Sequence, residues 1–241
     1  KGELYEFLKK NNGKNFLNND NQLLKEMSNG IKKITYGKSS DSDCNGKFLE
    51  ANPFLKISWK QKKENEFHEI IQTKIIGTYN FENILAAICI GNYFGVEKND
   101  VRASIENFLP SGNRSQILIK GSNTIILDCY NANPVSMSAA ISNFAQMNDG
   151  KKVAILGDML ELGEFSTKEH EQIVEILKSC PFSQTILVGK EFSKISLPGN
   201  FKSFLKTEDV RDFFIQNKIE NSQVLIKGSR GIKLESVAEV L

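Results

Sequence analysis

The sequence lacks a phosphate loop of the form G-x-x-x-x-G-K-[ST], so none of these 241 residues forms the usual cradle for a nucleoside triphosphate. No G-x-G-x-x-G follows an apolar strand, which argues against a dinucleotide-dependent oxidoreductase. The G-x-S-x-G elbow and the H-E-x-x-H helix are also missing. Cysteines are few, at 44, 89, 129 and 180, and none forms a Cys-x-x-Cys pair. Their spacing suits neither a zinc site nor a disulfide framework; reduced thiols in a cytoplasm fit best. There is no signal-peptide pattern and no apolar run of transmembrane length, so no membrane insertion is expected. The net charge is only +2 and the basic residues are scattered, which gives no basis for a nucleic-acid partner. There is no initiating Met either. Lys1 leads straight into the amphipathic pattern Leu4, Phe7, Leu8, as in a piece of a longer protein.

What is present divides into two regions. In the first, to about Pro110, the spacing predicts a helix over Glu3–Lys10, stopped by Asn11-Asn12-Gly13. Strands are predicted at Asn15–Leu17 and Lys32–Tyr36. Phe48–Trp59 and Glu66–Ile76 alternate polar and apolar residues, as half-exposed strands do. Helices follow over Phe81–Phe94 and Asp100–Leu109, the latter with Asp100 as its N-cap. Pro110-Ser111-Gly112 reads as the linker.

The second region alternates strand and helix. Strands are predicted at Ile117–Ile119, Thr124–Leu127, Val153–Leu156, Thr185–Val188 and Val224–Ile226. Helices are predicted at Pro134–Met147, Thr167–Ser179, Glu208–Asn217 and Leu234–Val240. This order predicts an α/β Rossmann-like domain with a mostly parallel sheet.

Polar residues gather where the apolar strands stop, the edge at which open α/β sheets keep ligands. Asp128-Cys129-Tyr130-Asn131-Ala132-Asn133-Pro134-Val135-Ser136 follows one strand. Asn133 and Pro134 suit a capped helix start. Asp128, Asn131 and Asn133 could hold ribose hydroxyls, phosphate oxygens or a metal-bound water, or simply form a capped turn. Gly157 to Gly163 follows another strand, and its carboxylates Asp158 and Glu161 suit either an ammonium group or a plain glycine loop. His170, alone on the next helix, reads as a packing or surface residue rather than a catalyst. Lys227-Gly228-Ser229-Arg230 forms a cationic turn after the last strand and suits an anionic substrate such as a carboxylate. In the first region, Asn80 and Asn83 lie one helical turn apart and could read an adenine edge or cap and brace their own helix. Arg114, just past the linker, is either a surface residue or a fork for phosphate and ribose oxygens.

Each signal alone is weak; their order is specific. D-x-Y-N-A-N-P-x-S over Asp128–Ser136, G-D-M-x-E-L-G over Gly157–Gly163 and the ending Val224–Arg230 resemble the Mur ligase family, the ATP-dependent amide-bond-forming enzymes of bacterial cell-wall synthesis. The resemblance covers essentially the whole chain. It implies that residues 1–110 are the latter part of a central ATPase domain and 111–241 the Rossmann-like C-terminal domain. The phosphate loop, the main magnesium ligands and a UDP-binding domain would lie upstream of Lys1. ATP and Mg2+ are the implied cofactors. The implied partners are UDP-N-acetylmuramoyl-tripeptide and D-alanyl-D-alanine, joined through an acyl phosphate.

The resemblance also implies roles. Asn80, Asn83 and Arg114 would approach the nucleotide. Asp128 would contact ribose or phosphates, with Asn131 and Asn133 flanking the nucleotide or the acyl phosphate, and all three would be the catalytic residues. Lys227, Gly228 and Ser229 would receive the amine substrate's carboxylate, and Asp158 and Glu161 would help position it. Tyr79 departs from the family pattern, which usually has histidine there. Alternatives are a sister ligase adding single amino acids, a folylpolyglutamate synthase-like ligase, or a non-catalytic Rossmann-like binding module. The Asn-Ala-Asn-Pro run argues against the two ligases by resemblance.

Overall fold

Proline has no N–H to donate to a sheet, and Asn52-Pro53 shows the consequence. The polar–apolar alternation runs through this point, yet in the computed structural model the chain reverses there. The expected single strand Phe48–Trp59 is instead a hairpin, β3 (Cys44–Ala51) and β4 (Phe54–Gln61), with Ala51 opposite Leu55. The structure describes residues 2–147 and 150–241. These form two compact units that meet in sequence at Phe108 and Leu109.

The first unit contains α1 (Gly2–Lys10), β1 (Lys14–Asn18), α2 (Gln22–Met27), β2 (Lys32–Gly37), β3, β4, β5 (Ile71–Ile76), α3 (Asn80–Tyr93) and α4 (Lys98–Asn107). Its sheet runs β1-β2-β3-β4-β5. The first three strands are parallel and the last two pair antiparallel. Leu55, Ile57 and Trp59 of β4 pack with Phe81, Leu85 and Ile88 of α3 in its core. Helix and sheet approach so closely that a Cβ on Gly46 would fall 2.4 Å from the Leu85 side chain. Three details differ from the sequence reading. Residues 66–70 lie outside β5, and α2 was not anticipated. Helix α4 begins at Lys98, so Asp100 sits in its first turn, where its charge favours the helix dipole, rather than at the cap.

The second unit contains β6 (Gln116–Lys120), β7 (Asn123–Asp128), α5 (Pro134–Gln146), β8 (Lys151–Gly157), α6 (Ser166–Lys178), β9 (Gln184–Val188), β10 (Phe201–Phe204), α7 (Thr207–Gln216) and β11 (Ser222–Lys227). The predicted last helix is a 3-10 segment, Leu234–Glu239. The predicted end of α5 at Met147 is its capping residue. The sheet order is β10-β9-β8-β11-β7-β6, parallel throughout except for the β6–β7 hairpin. The Rossmann-like expectation therefore holds. Val153, Ala154, Ile155 and Leu156 are all fully buried, which is why β8 reads as a continuous apolar run. β10 went unread because only Phe201 of its four residues is fully covered.

Parallel strands share one carboxyl edge. β11 lies between β8 and β7, with Lys227 in register with Leu156 on one side and Asp128 on the other. Strand order thus gathers three loops that are remote in sequence.

Candidate active site at the carboxyl edge of the second sheet

The edge is organised around a buried ion pair. Lys227 Nζ donates to Asp128 Oδ2 at 2.6 Å and to the Asn131 carbonyl at 3.3 Å. The Lys227 side chain is 2% exposed and that of Asp128 15%. The other oxygen of Asp128 accepts the Ser115 N–H at 3.0 Å. A buried ammonium needs such partners, because desolvation alone would expel its charge. Lys227 is therefore occupied within the protein and orients the Asp128–Asn131 turn.

Ser229 is similarly engaged. Its hydroxyl accepts the Leu160 N–H at 2.9 Å and faces the Ala132 carbonyl at 3.5 Å, and its own N–H donates to the Asp158 carbonyl. It ties all three loops together. Gly228 lies where the strands converge; a Cβ there would meet the Gly157 backbone at 3.1 Å.

The Asp128–Ser136 run alternates anchors with exposed groups. Cys129 and Ala132 are buried, while Tyr130, Asn131 and Asn133 face outward. Burial pushes the Cys129 thiol up, so it stays protonated. Asn131 Oδ1 takes the Ala132 N–H at 2.9 Å. Asn133 caps α5: its side chain accepts the Ser136 N–H while Ser136 Oγ accepts the Asn133 N–H, a reciprocal capping box. Arg114 is exposed, and its guanidinium lies 3.7 Å from the Tyr130 ring centroid.

Asp158 and Glu161 have different surroundings. Asp158 is 3% exposed, and its carboxylate accepts the N–H groups of Glu191 (2.8 Å) and Phe192 (3.0 Å). It braces the turn after β9, where a Cβ on Gly189 would strike it at 2.3 Å. Beside it His170 is fully buried. Its Nε2 accepts the Met159 N–H at 3.0 Å and its Nδ1 lies 2.7 Å from the Ser166 carbonyl. These partners select a neutral ring with the proton on Nδ1, so its proximity to Asp158 is not an ion pair. Glu161 is exposed, at φ +64°, and borders an open groove of about 460 Å³ with Glu164, Thr167 and Lys194.

In the first unit, Asn80 donates to the Ile76 carbonyl at 2.8 Å and accepts from Asn83 Nδ2 at 3.0 Å. The carboxamide of Asn83 is exposed, and its oxygen has no donor among the described residues. The Tyr79 ring covers Gly77. Among the described residues, no group of three His, Cys, Asp or Glu side chains could hold a metal ion.

Two residues escaped the sequence reading: Tyr130, inside the quoted motif, and Arg230, at the end of the cationic turn. Arg230 also approaches the Tyr130 ring, at 5.8 Å. An aromatic forced outward between two buried neighbours was the available signal.

Residues 1–91 match the family model for the Mur ligase middle domain and residues 113–230 that for the Mur ligase glutamate ligase domain. The chain belongs to the Mur ligase family. Within it, the chain is 32% identical, over 177 residues, to the UDP-N-acetylmuramoyl-tripeptide--D-alanyl-D-alanine ligase of Bacillus subtilis (strain 168). That alignment covers 69% of this chain and 38% of the relative. The fold is that of MurF from Acinetobacter baumannii (TM-score 0.81, 22% identity, 99% of this chain, 54% of that one). It also matches the MurF ligase of Thermotoga maritima in complex with ADP (TM-score 0.80, 21% identity, 98% and 55%). The chain thus spans about half the length of these proteins, or less.

Proposed function

We propose that this chain is the ATPase-domain remainder and C-terminal domain of an ATP-dependent ligase that joins D-alanyl-D-alanine to UDP-N-acetylmuramoyl-tripeptide. The reaction proceeds through an acyl phosphate in cytoplasmic synthesis of peptidoglycan precursors. The observation that carries the reading is the loop Asp128–Ser136, held at the carboxyl edge by Lys227, in a chain whose relatives bear that enzyme's name.

The residues present suit a nucleotide. Asn83 offers a carboxamide oxygen for a base amino group, and Arg114 offers an exposed fork for phosphate or ribose oxygens. When bound, ATP with Mg2+ would supply the phosphoryl group that makes the carboxylate an electrophile. The chain's own part is positioning. Lys227 holds Asp128 toward the ligand edge, the capping box fixes Asn133, and the exposed carboxamides of Asn131 and Asn133 flank the reacting groups. Asp158 acts through loop order. Glu161 remains a candidate for the incoming ammonium group.

The test uses the complete reading frame. Phosphate release with ATP, magnesium and UDP-N-acetylmuramoyl-tripeptide is compared between D-alanyl-D-alanine and single amino acids. Dipeptide-dependent release is the expected result. Release only with a single amino acid would make the protein a sister ligase. The 241-residue chain alone is expected to show no ligation.

A further inference from the structure

Four arginines occur in this lysine-rich chain, at 102, 114, 211 and 230. Two are engaged by carboxylates: Arg102 by Glu69 and Glu106, and Arg211 by Glu239. Among the described residues, neither Arg114 nor Arg230 has a carboxylate within ion-pair distance. Both converge on one ring. Their guanidinium carbons lie 3.7 and 5.8 Å from the Tyr130 centroid. The ring is 42% exposed, but its backbone is fixed: the Tyr130 N–H donates to the Asn113 carbonyl, and Cys129 and Ala132 are buried on either side. Arg230 is fixed at its base as well. It follows buried Ser229 and opens a 3-10 turn whose Gly231 lies against the end of the Leu160 side chain.

Two like charges held near one aromatic ring, with no carboxylate of the described residues paired to either, repel each other until an anion arrives. The planar fork of arginine matches a carboxylate in two parallel hydrogen bonds, which a lysine cannot reproduce. Two other donors of the same turn are committed: Lys227 to Asp128, and Ser229 through its N–H to the Asp158 carbonyl and through its hydroxyl to the Ala132 carbonyl. We infer that Arg230, steadied by the Tyr130 ring that it shares with Arg114, is the specificity residue that grips the terminal carboxylate of the incoming amine substrate. This rests on the ligase reading above, and assigns to Arg230 the contact that the sequence pattern alone would give to Lys227.

The test again uses the full-length enzyme, assayed for phosphate release with D-alanyl-D-alanine and with D-alanyl-D-alaninamide, which lacks the terminal charge. The wild type is expected to prefer the dipeptide over its amide by about ten- to a hundredfold in kcat/KM, the range of one charged hydrogen-bonded contact. Arg230→Ala and Arg230→Lys should each raise KM for the dipeptide and abolish most of that preference, while leaving KM for ATP unchanged. The unchanged ATP value reports intact folding. An Arg230→Ala enzyme that keeps the preference, or loses ATP affinity instead, as a phosphate clamp would, overturns the assignment. So does a wild type indifferent to the amide, a result that needs no variant. Absence of any dipeptide-dependent turnover in the wild type would instead overturn the ligase reading itself, and this assignment with it.

Discussion

One ion-pair group from each unit shows two ways of handling charge. In the first, Arg102 meets Glu69 and Glu106 on the surface, with the arginine 39% and Glu69 81% exposed. In the second, Lys227 meets Asp128 at 2% and 15% exposure, at the junction of two parallel strands. Water screens the first group and leaves its removal nearly neutral. The second is placed where its loss leaves a charge without solvent. Depth rather than the number of ion pairs marks the place where charge organises a site.

Breaking the buried pair tests this contrast most severely. Lys227→Ala strands Asp128 beside the sheet and should cost about 3 kcal/mol, the lower end for such pairs because Asp128 keeps some solvent and the Ser115 N–H. Urea unfolding read by hydrogen exchange at β7 and β11 amides would measure it. The double variant Lys227→Met/Asp128→Asn should recover much of that loss, since no bare charge remains. If both variants unfold alike, the pair is not what holds this edge.

A smaller effect is expected at the α5 cap. Asn133→Ala removes the acceptor for the Ser136 N–H and should cost about 1 kcal/mol in the same unfolding experiment. This cap was legible in the sequence because everything it needs lies within four residues. The buried strands were legible too, since Val153–Leu156 has no polar residue to spare for solvent. Lys227 and Asp128 were each expected in the site, but not as partners of one another. The two are 99 residues apart, and only the insertion of β11 between β8 and β7 makes them neighbours. Arg230 and Tyr130 were missed for the same reason: periodicity reports which face a residue takes, not which loop stands opposite. The β3–β4 hairpin was missed because alternation survives a tight reversal, and Pro53 had to be weighed above it.

The smallest effect should come from the surface group. Arg102→Ala takes the cation away from two carboxylates at once, Glu69 and Glu106, whereas Lys227→Ala takes it from one. If each ion pair stabilised equally wherever it lay, the Arg102 change would be the more damaging of the two. Exposed carboxylates are resolvated when the arginine leaves, and their side chains regain the rotamer freedom that the pairing restricted. The thermal midpoint should therefore stay within the scatter of repeated scans, and molar salt should erase any residual difference. The Lys227→Ala defect should persist in the same salt, because screening ions do not reach a group that is 2% exposed. An Arg102 variant as damaged as the Lys227 variant, or a Lys227 defect that salt removes, would show that the two pairs differ in position only and not in kind.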